Sequence, residues 1–221
     1  MTNNENGRSM VEMLGVLAII GVLSAGGLAG YSKAMFKHKL NSTMEQITML
    51  VTNIRTAYGQ QKDYTGLNNG KAVRLGIVPP VMGTGTADNA PLTNPFKGSV
   101  TIASAEAKRG VSNTGFSVTY TGLPKEACIS LATADFGSGA GSGFVGVVVG
   151  ATSSQALAGA NETLNLDVYI GEGNGRGEVK DNNNALTQSG QAASRSEGQP
   201  YTMADAISAC TEQATVAWKF Y

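Results

Sequence analysis

Charge, histidine and cysteine are scarce in this sequence. Charged residues make up 14% of its 221 residues, and 16 basic and 16 acidic side chains cancel to a net charge of zero. A chain without excess positive charge lacks the basic surface with which proteins bind nucleic acid. The one histidine, His38, excludes a histidine-rich metal site, and we find no pairing of a nucleophile with a base. We therefore expect no enzyme, no metal and no other cofactor.

Charge is absent altogether between Met13 and Ser32. A helix of these 20 residues would be about 30 Å long, which is the thickness of the hydrocarbon core of a bilayer. The segment therefore predicts a single membrane-spanning helix. The alternative is a secretory signal peptide cut among the small residues 24–27. We favour the membrane helix because Arg8 is the one basic residue before the run, and the run is longer than an ordinary signal-peptide core.

Helix-breaking residues are also missing from the segment that follows. No proline precedes Pro79, and no glycine occurs from Tyr31 to Tyr58. Apolar residues recur there at intervals of three or four, at Phe36, Leu40, Met44, Ile47, Val51, Ile54 and Tyr58. We predict one long helix from about Ser9 to about Gln60. Its first half is apolar all round, and its second half has one apolar stripe that must lie on a globular domain.

The remainder of the chain, residues 63–221, has the pattern of an α+β domain. Runs rich in β-branched and aromatic residues predict five strands, at Gly98–Ala103, Gly115–Thr121, Gly143–Val149, Leu164–Ile170 and Thr215–Tyr221. Short helices are predicted at Asn69–Gly76, at Lys125–Ala134 after Pro124, and after a capping box of Thr202 and Asp205. In this last helix Met203, Ala206, Ile207 and Cys210 share one face. Trp218 is expected in the core.

Two stretches resemble ligand sites only weakly. Gly141–Gly146 matches GxGxxG formally, but it leads into a predicted strand instead of a helix, so we interpret it as a loop. Glu172, Glu178 and Asp181 offer oxygen atoms of the kind that calcium prefers. Their spacing fits no EF-hand, and we predict a solvated loop.

The N-terminus resembles that of the type IV prepilins. Gly7 is followed by Arg8, then by Glu12, then by the apolar run MLGVLAIIGVL. In that family a membrane-embedded peptidase cuts after the glycine, and the fifth residue of the mature chain is a glutamate. The resemblance implies a leader of residues 1–7, a spine helix of residues 8–62, and a mature chain that begins at Arg8.

The globular half is similar to the type IVb pilins. The matching segments are NPFKGSVTIA at 94–103, GFSVTYTGLPKEACISL at 115–131, and ADAISACTEQATVAWKFY at 204–221. The resemblance implies an α+β fold in which a long N-terminal spine helix packs on a small antiparallel sheet. It also implies a disulfide that ties down the C-terminal region.

Cys128 and Cys210 are the two cysteines of the chain, and their spacing fits no zinc site. In a reducing compartment they would remain two buried thiols. A membrane-anchored, exported domain meets oxidants instead, and the resemblance implies a bond in this region. We therefore predict a Cys128–Cys210 disulfide.

Glu12 is the candidate assembly residue. By resemblance, its carboxylate compensates the α-ammonium group of a neighbouring subunit while a filament assembles. The alternative is a charge at the membrane interface, where the helix dipole favours a carboxylate near the helix N-terminus.

These features together predict a type IVb-like pilin, a structural subunit that polymerises through its N-terminal helix. Its partners would be copies of itself, the prepilin peptidase and the assembly machinery of the inner membrane. It would be a single-pass precursor in the inner membrane and then part of an extracellular filament. The alternatives are a minor pilin, a type II secretion pseudopilin, or a single-span binding module that never polymerises.

Overall fold

The computed structural model describes residues 10–108, 110–137, 143–151 and 200–221. The chain divides after Asn41 into two compact units, and the second unit begins at Ser42. The predicted strand Leu164–Ile170 and the loop with Glu172, Glu178 and Asp181 lie outside the described residues.

One continuous helix, α1, runs from Met10 to Tyr58. Its 49 residues make it about 73 Å long, which confirms the predicted long helix. It continues through Gly26, Gly27 and Gly30, although each glycine costs about 1 kcal/mol relative to alanine in a helix. The helix ends at Tyr58, two residues before the predicted end at about Gln60. Gly59 follows it, and the Gln61 N–H closes a turn on the Tyr58 carbonyl at 2.8 Å.

The C-terminal part of α1, from Ser42 onward, has one buried face. Its buried residues are Thr43, Ile47, Leu50, Val51, Ile54 and Tyr58. The predicted stripe is therefore confirmed from Ile47 to Tyr58, and Leu50 widens it because it lies three residues after Ile47. Thr43 was not predicted; it lies four residues before Ile47 and is fully buried.

In the described part of the chain, five antiparallel strands form one sheet. They are β1 (Leu92–Thr93), β2 (Ser99–Ala105), β3 (Gly115–Leu123), β4 (Phe144–Ala151) and β5 (Ala214–Phe220). Their order is β1-β2-β3-β5-β4, so the C-terminal strand lies between β3 and β4. Four of the predicted strands are confirmed with shifted ends. The two-residue β1 was missed because it is too short to show an alternating pattern.

The core lies between α1 and this sheet. All seven residues of β5 are buried, and Trp218 is fully buried as predicted. The ring of Phe220 is 5.4 Å from that of Phe116, which is 5.0 Å from that of Tyr64. Tyr64 in turn stacks on Tyr58, the last residue of α1, at 5.4 Å. Aromatic contacts thus connect the end of the long helix to β3 and β5.

Three short helices complete the described part of the second unit. They are α2 (Asn69–Arg74), α3 (Lys125–Ala132) and α4 (Met203–Ala209). The first two end earlier than predicted. Gly76, just after α2, has a φ of 69°, which a helix cannot continue through. Thr133 caps α3, and its hydroxyl donates to the Ile129 carbonyl at 2.8 Å.

The capping box of α4 is confirmed. The Asp205 N–H donates to Thr202 Oγ1 at 3.3 Å, and the Thr202 hydroxyl donates to Asp205 Oδ2 at 2.7 Å. The buried face of the helix differs from the face that the predicted residues share.

Met203 and Ile207 are 59% and 50% exposed, whereas Ala206, Ala209 and Cys210 are buried. The small side chains and the disulfide-bonded Cys210 thus form the buried side of α4, and the two large apolar residues face outward.

The capping box predicts a measurable contribution to stability. Thr202→Ala should lower the free energy of unfolding by about 1 kcal/mol, because the Asp205 N–H loses its acceptor. Thr211→Ala is the matched control, since Thr211 is exposed and lies outside every helix and strand, and it should change stability by less than about 0.5 kcal/mol. Urea unfolding followed by Trp218 fluorescence measures both. Equal effects of the two substitutions would contradict a cap at Thr202.

Candidate functional site

The apolar side chains in the first half of α1 are largely exposed. Val11, Leu14, Leu17, Ile20 and Leu23 are each more than half exposed. Burying a side chain of this size stabilises a protein by roughly 1.5–3 kcal/mol, so a row of them in water is strongly unfavourable. Within the described residues, one helix, α1, has the length and apolar composition needed to cross a membrane. This segment therefore requires either lipid or other helices around it.

Glu12 lies in the first turn of α1, and its side chain is exposed. The unpaired N–H groups of a first helical turn favour a carboxylate there. Along the described part of α1 the next charged residue is Lys33, which is about 30 Å away at 1.5 Å per residue. Gly7 and Arg8, the predicted processing residues, lie outside the described residues.

Cys128 and Cys210 form a disulfide, with Cα atoms 5.9 Å apart. Cys128 lies in α3 and Cys210 caps the C-terminus of α4, and both residues are buried. The bond closes a loop of 82 residues. In the chain-entropy model a loop of that size contributes roughly 4–5 kcal/mol to stability. The disulfide therefore fixes the helix that leads directly into β5, an inner strand of the sheet.

The described residues offer no group of three or more His, Cys, Asp and Glu side chains that could hold a metal ion. His38 is exposed on α1. Gly143 precedes β4, so the glycine-rich stretch leads into a strand, as predicted.

Arg55 is a residue to which the sequence analysis assigned no role. It lies next to the buried Ile54 and four residues after the buried Val51, on the edge of the buried face of α1. Its guanidinium carbon lies 5.5 Å from the centre of the Phe220 ring. The sequence signal for Arg55 was its position, since it places a cation at the edge of the apolar stripe of α1.

A family model described as Bundlin matches residues 33–168, more than half of the chain. The major structural subunit of the bundle-forming pilus of Escherichia coli O127:H6 is 30% identical over 136 residues, which are 62% of this chain and 68% of that protein. The toxin coregulated pilin of Vibrio cholerae serotype O1 is 26% identical over 172 residues, 76% of this chain and 74% of that protein.

Among solved structures, a type IVb pilin from Salmonella typhi superposes with a TM-score of 0.44 at 19% identity, covering 80% of this chain and 97% of the pilin. The assignment of this chain to a family therefore rests on the sequence matches. They cover both the C-terminal part of α1 and the first four strands. The chain therefore belongs to the bundlin family.

Proposed function

We propose that this protein is a structural subunit of a type IV pilus. In this proposal, residues 1–7 are a leader, residues 8–62 are the spine segment that contains α1 (Met10–Tyr58), and residues 63–221 form a head domain outside the cytoplasm. Removal of the leader prepares the chain for polymerisation through the first half of α1. The observation that carries the proposal is the uncovered apolar surface of that half, in a chain of the bundlin family.

The apolar segment has two suitable surroundings. Before assembly, the hydrocarbon core of the inner membrane covers it, as its length and composition allow. In a filament, the same segments of neighbouring copies cover it. Exchanging lipid for other helices brings no hydrophobic gain, because both surroundings are apolar. Packing and polar pairing must therefore drive the exchange, and Glu12 is the polar group available for pairing.

The other proposed partners follow from this route. A prepilin peptidase would cut between Gly7 and Arg8, and the assembly machinery of the inner membrane would extract the mature subunit into the filament. The Cys128–Cys210 disulfide supports a head domain outside the cytoplasm, because such bonds persist in oxidising compartments. The final location would be an extracellular filament.

The test is electron microscopy of material sheared from cells, combined with N-terminal sequencing of the subunit. We expect filaments whose subunit begins at Arg8. A protein that remains in the membrane fraction as single subunits would contradict the proposal and support the single-span binding module. Short filaments that never leave the cell envelope would support a secretion pseudopilin.

Processing is expected to depend on Gly7. Gly7→Ala should leave membrane insertion unchanged and block the cut, because by family resemblance the peptidase requires glycine before the cleaved bond. Mass spectrometry of the membrane-bound chain should show a protein that begins at Met1.

The matched control is Gly15→Ala, a glycine inside the apolar run with no atom within 4 Å of an added Cβ, which should be processed normally. A Gly7→Ala chain that still begins at Arg8, or a wild-type chain cut near Ala25, would contradict the predicted leader.

A further inference from the structure

A cavity of about 240 Å³ lies between the last turns of α1 and β5. Thr48, Thr52 and Arg55 line one side, and the rings of Phe136 and Phe220 line the other. The volume is many times the roughly 10–15 Å³ of accessible space that a cavity needs to hold one water molecule. The cavity therefore has room for an organic ligand, and its walls combine a cation with two aromatic surfaces.

The Arg55 guanidinium lies in this cavity with unused hydrogen-bonding capacity. Its Nε and Nη2 atoms are buried, and neither has a hydrogen-bond partner among the described residues. One face of the group is occupied by the Phe220 ring, 5.5 Å away. Burial lowers the pKa of Arg55, against a smaller opposite effect of Tyr64 and Tyr221. Two buried N–H donors without a partner are costly unless an acceptor joins them.

None of the other polar groups of the cavity wall accepts a hydrogen bond from Arg55 Nε or Nη2. The hydroxyls of Thr48 and Thr52 already donate to carbonyls of α1, at 3.0 and 2.8 Å. One carboxylate oxygen of Asp135, which also lines the cavity, accepts the Gly137 N–H at 2.8 Å. A ligand that brings an acceptor can therefore pair with these two Arg55 atoms.

We infer that this cavity is a binding site for a carboxylate joined to an apolar body. A guanidinium pairs with a carboxylate through two parallel N–H···O bonds, which are stronger than bonds between neutral groups. The apolar part of the ligand would lie against Phe136 and Phe220. The inference does not rest on the proposed pilus assembly, since every residue it uses belongs to the second unit.

The experiment uses the full chain, unassembled in detergent micelles, and benzoate as the probe. Trp218 is the one tryptophan of the chain, and its ring lies 5.6 Å from that of Phe136 in the cavity wall. Its fluorescence should change saturably with benzoate, with a dissociation constant on the order of 1 mM or tighter. Benzamide has the same shape without the charge, and it should bind at least about tenfold more weakly.

Substitutions locate the site. Arg55→Gln should weaken benzoate binding at least about tenfold, and Arg55→Lys should restore part of it because the positive charge remains. Arg74→Gln is the matched control: Arg74 is exposed and pairs with Asp88 at 2.9 Å, away from the cavity, and its loss should leave binding unchanged. If Arg55→Gln fails to fold, Thr52→Phe tests the site instead. Thr52 is exposed, so a larger side chain there can fill the cavity while Arg55 stays.

Three results would overturn the inference: no saturable change up to about 20 mM benzoate, equal binding of benzamide, or unchanged binding in both Arg55→Gln and Thr52→Phe. The source of the natural carboxylate is decided by titrating sheared filaments. Loss of benzoate binding on assembly would assign the carboxylate to a neighbouring copy of the chain. Retained binding would assign it to a free organic acid. Because the first titration uses unassembled chain, it stands even if no filament forms.

Discussion

Glu12→Gln is expected to reduce the yield of sheared filament at least about tenfold while the subunit still inserts into the membrane and is processed. In the membrane, Glu12 lies in the first turn of α1 and can stay hydrated at the interface. In a filament core it would be surrounded by apolar segments of neighbouring copies. Burying the carboxylate there unpaired would cost several kcal/mol, so it needs a cation.

The α-ammonium group of a neighbouring chain, freed by the cut before Arg8, is the cation that assembly supplies, and the Arg8 guanidinium is a second. Glutamine keeps the shape of the side chain but leaves that amine unpaired. Since each 1.4 kcal/mol changes an equilibrium tenfold, the loss of one buried pair is enough to remove most of the filament.

Two further variants make the experiment specific. Glu12→Asp should be milder, because the charge remains and only its reach shortens. Glu45→Gln removes the same charge from an exposed position of the same helix, outside the apolar run, and should leave filament yield unchanged. The measurement compares sheared filament with membrane-bound subunit by quantitative immunoblot. Normal yield from Glu12→Gln would mean that this carboxylate is only an interfacial cap.

The elements that local pattern controls were predictable from the sequence. The spacing of apolar residues between Ile47 and Tyr58 determines which side of α1 is buried, and the absence of proline and glycine lets the helix continue to that point. β-Branched and aromatic runs likewise marked the four longer strands. The capping box at Thr202 depends on residues three apart, so it too was visible.

Features set by distant contacts were not predictable. The partners of β5 are β3 and β4, and nothing in the strand itself says that it lies between them. In α4, Met203 and Ile207 share a face with Ala206 by spacing, yet they are exposed and Ala206 is buried, which the spacing alone did not indicate. The contact between Arg55 and the ring of Phe220 joins residues far apart in the sequence, so it was not predictable either.

Replacing Cys128 by serine is expected to lower the free energy of unfolding of the head by roughly 4–5 kcal/mol, since the bond to Cys210 closes a loop of 82 residues. Folded domains are stable by only about 5–15 kcal/mol, so a loss of this size removes a large part of the margin. The bond restrains α4, which leads directly into the inner strand β5. Urea unfolding in detergent, followed by the fluorescence of Trp218, measures the loss.

The disulfide itself can be separated from the packing of its sulfur atoms. Cys128→Ser and the double variant with Cys210→Ser should be destabilised to a similar extent under oxidising conditions. The difference from wild type should largely disappear in dithiothreitol, because the reduced wild-type chain has lost the same restraint. Membrane insertion should persist in each variant while surface filament decreases, since insertion depends on α1 and filament depends on a folded head. A wild-type chain whose stability is unchanged by reduction would show that packing around Cys128, and not the covalent bond, holds α4 and β5 in place.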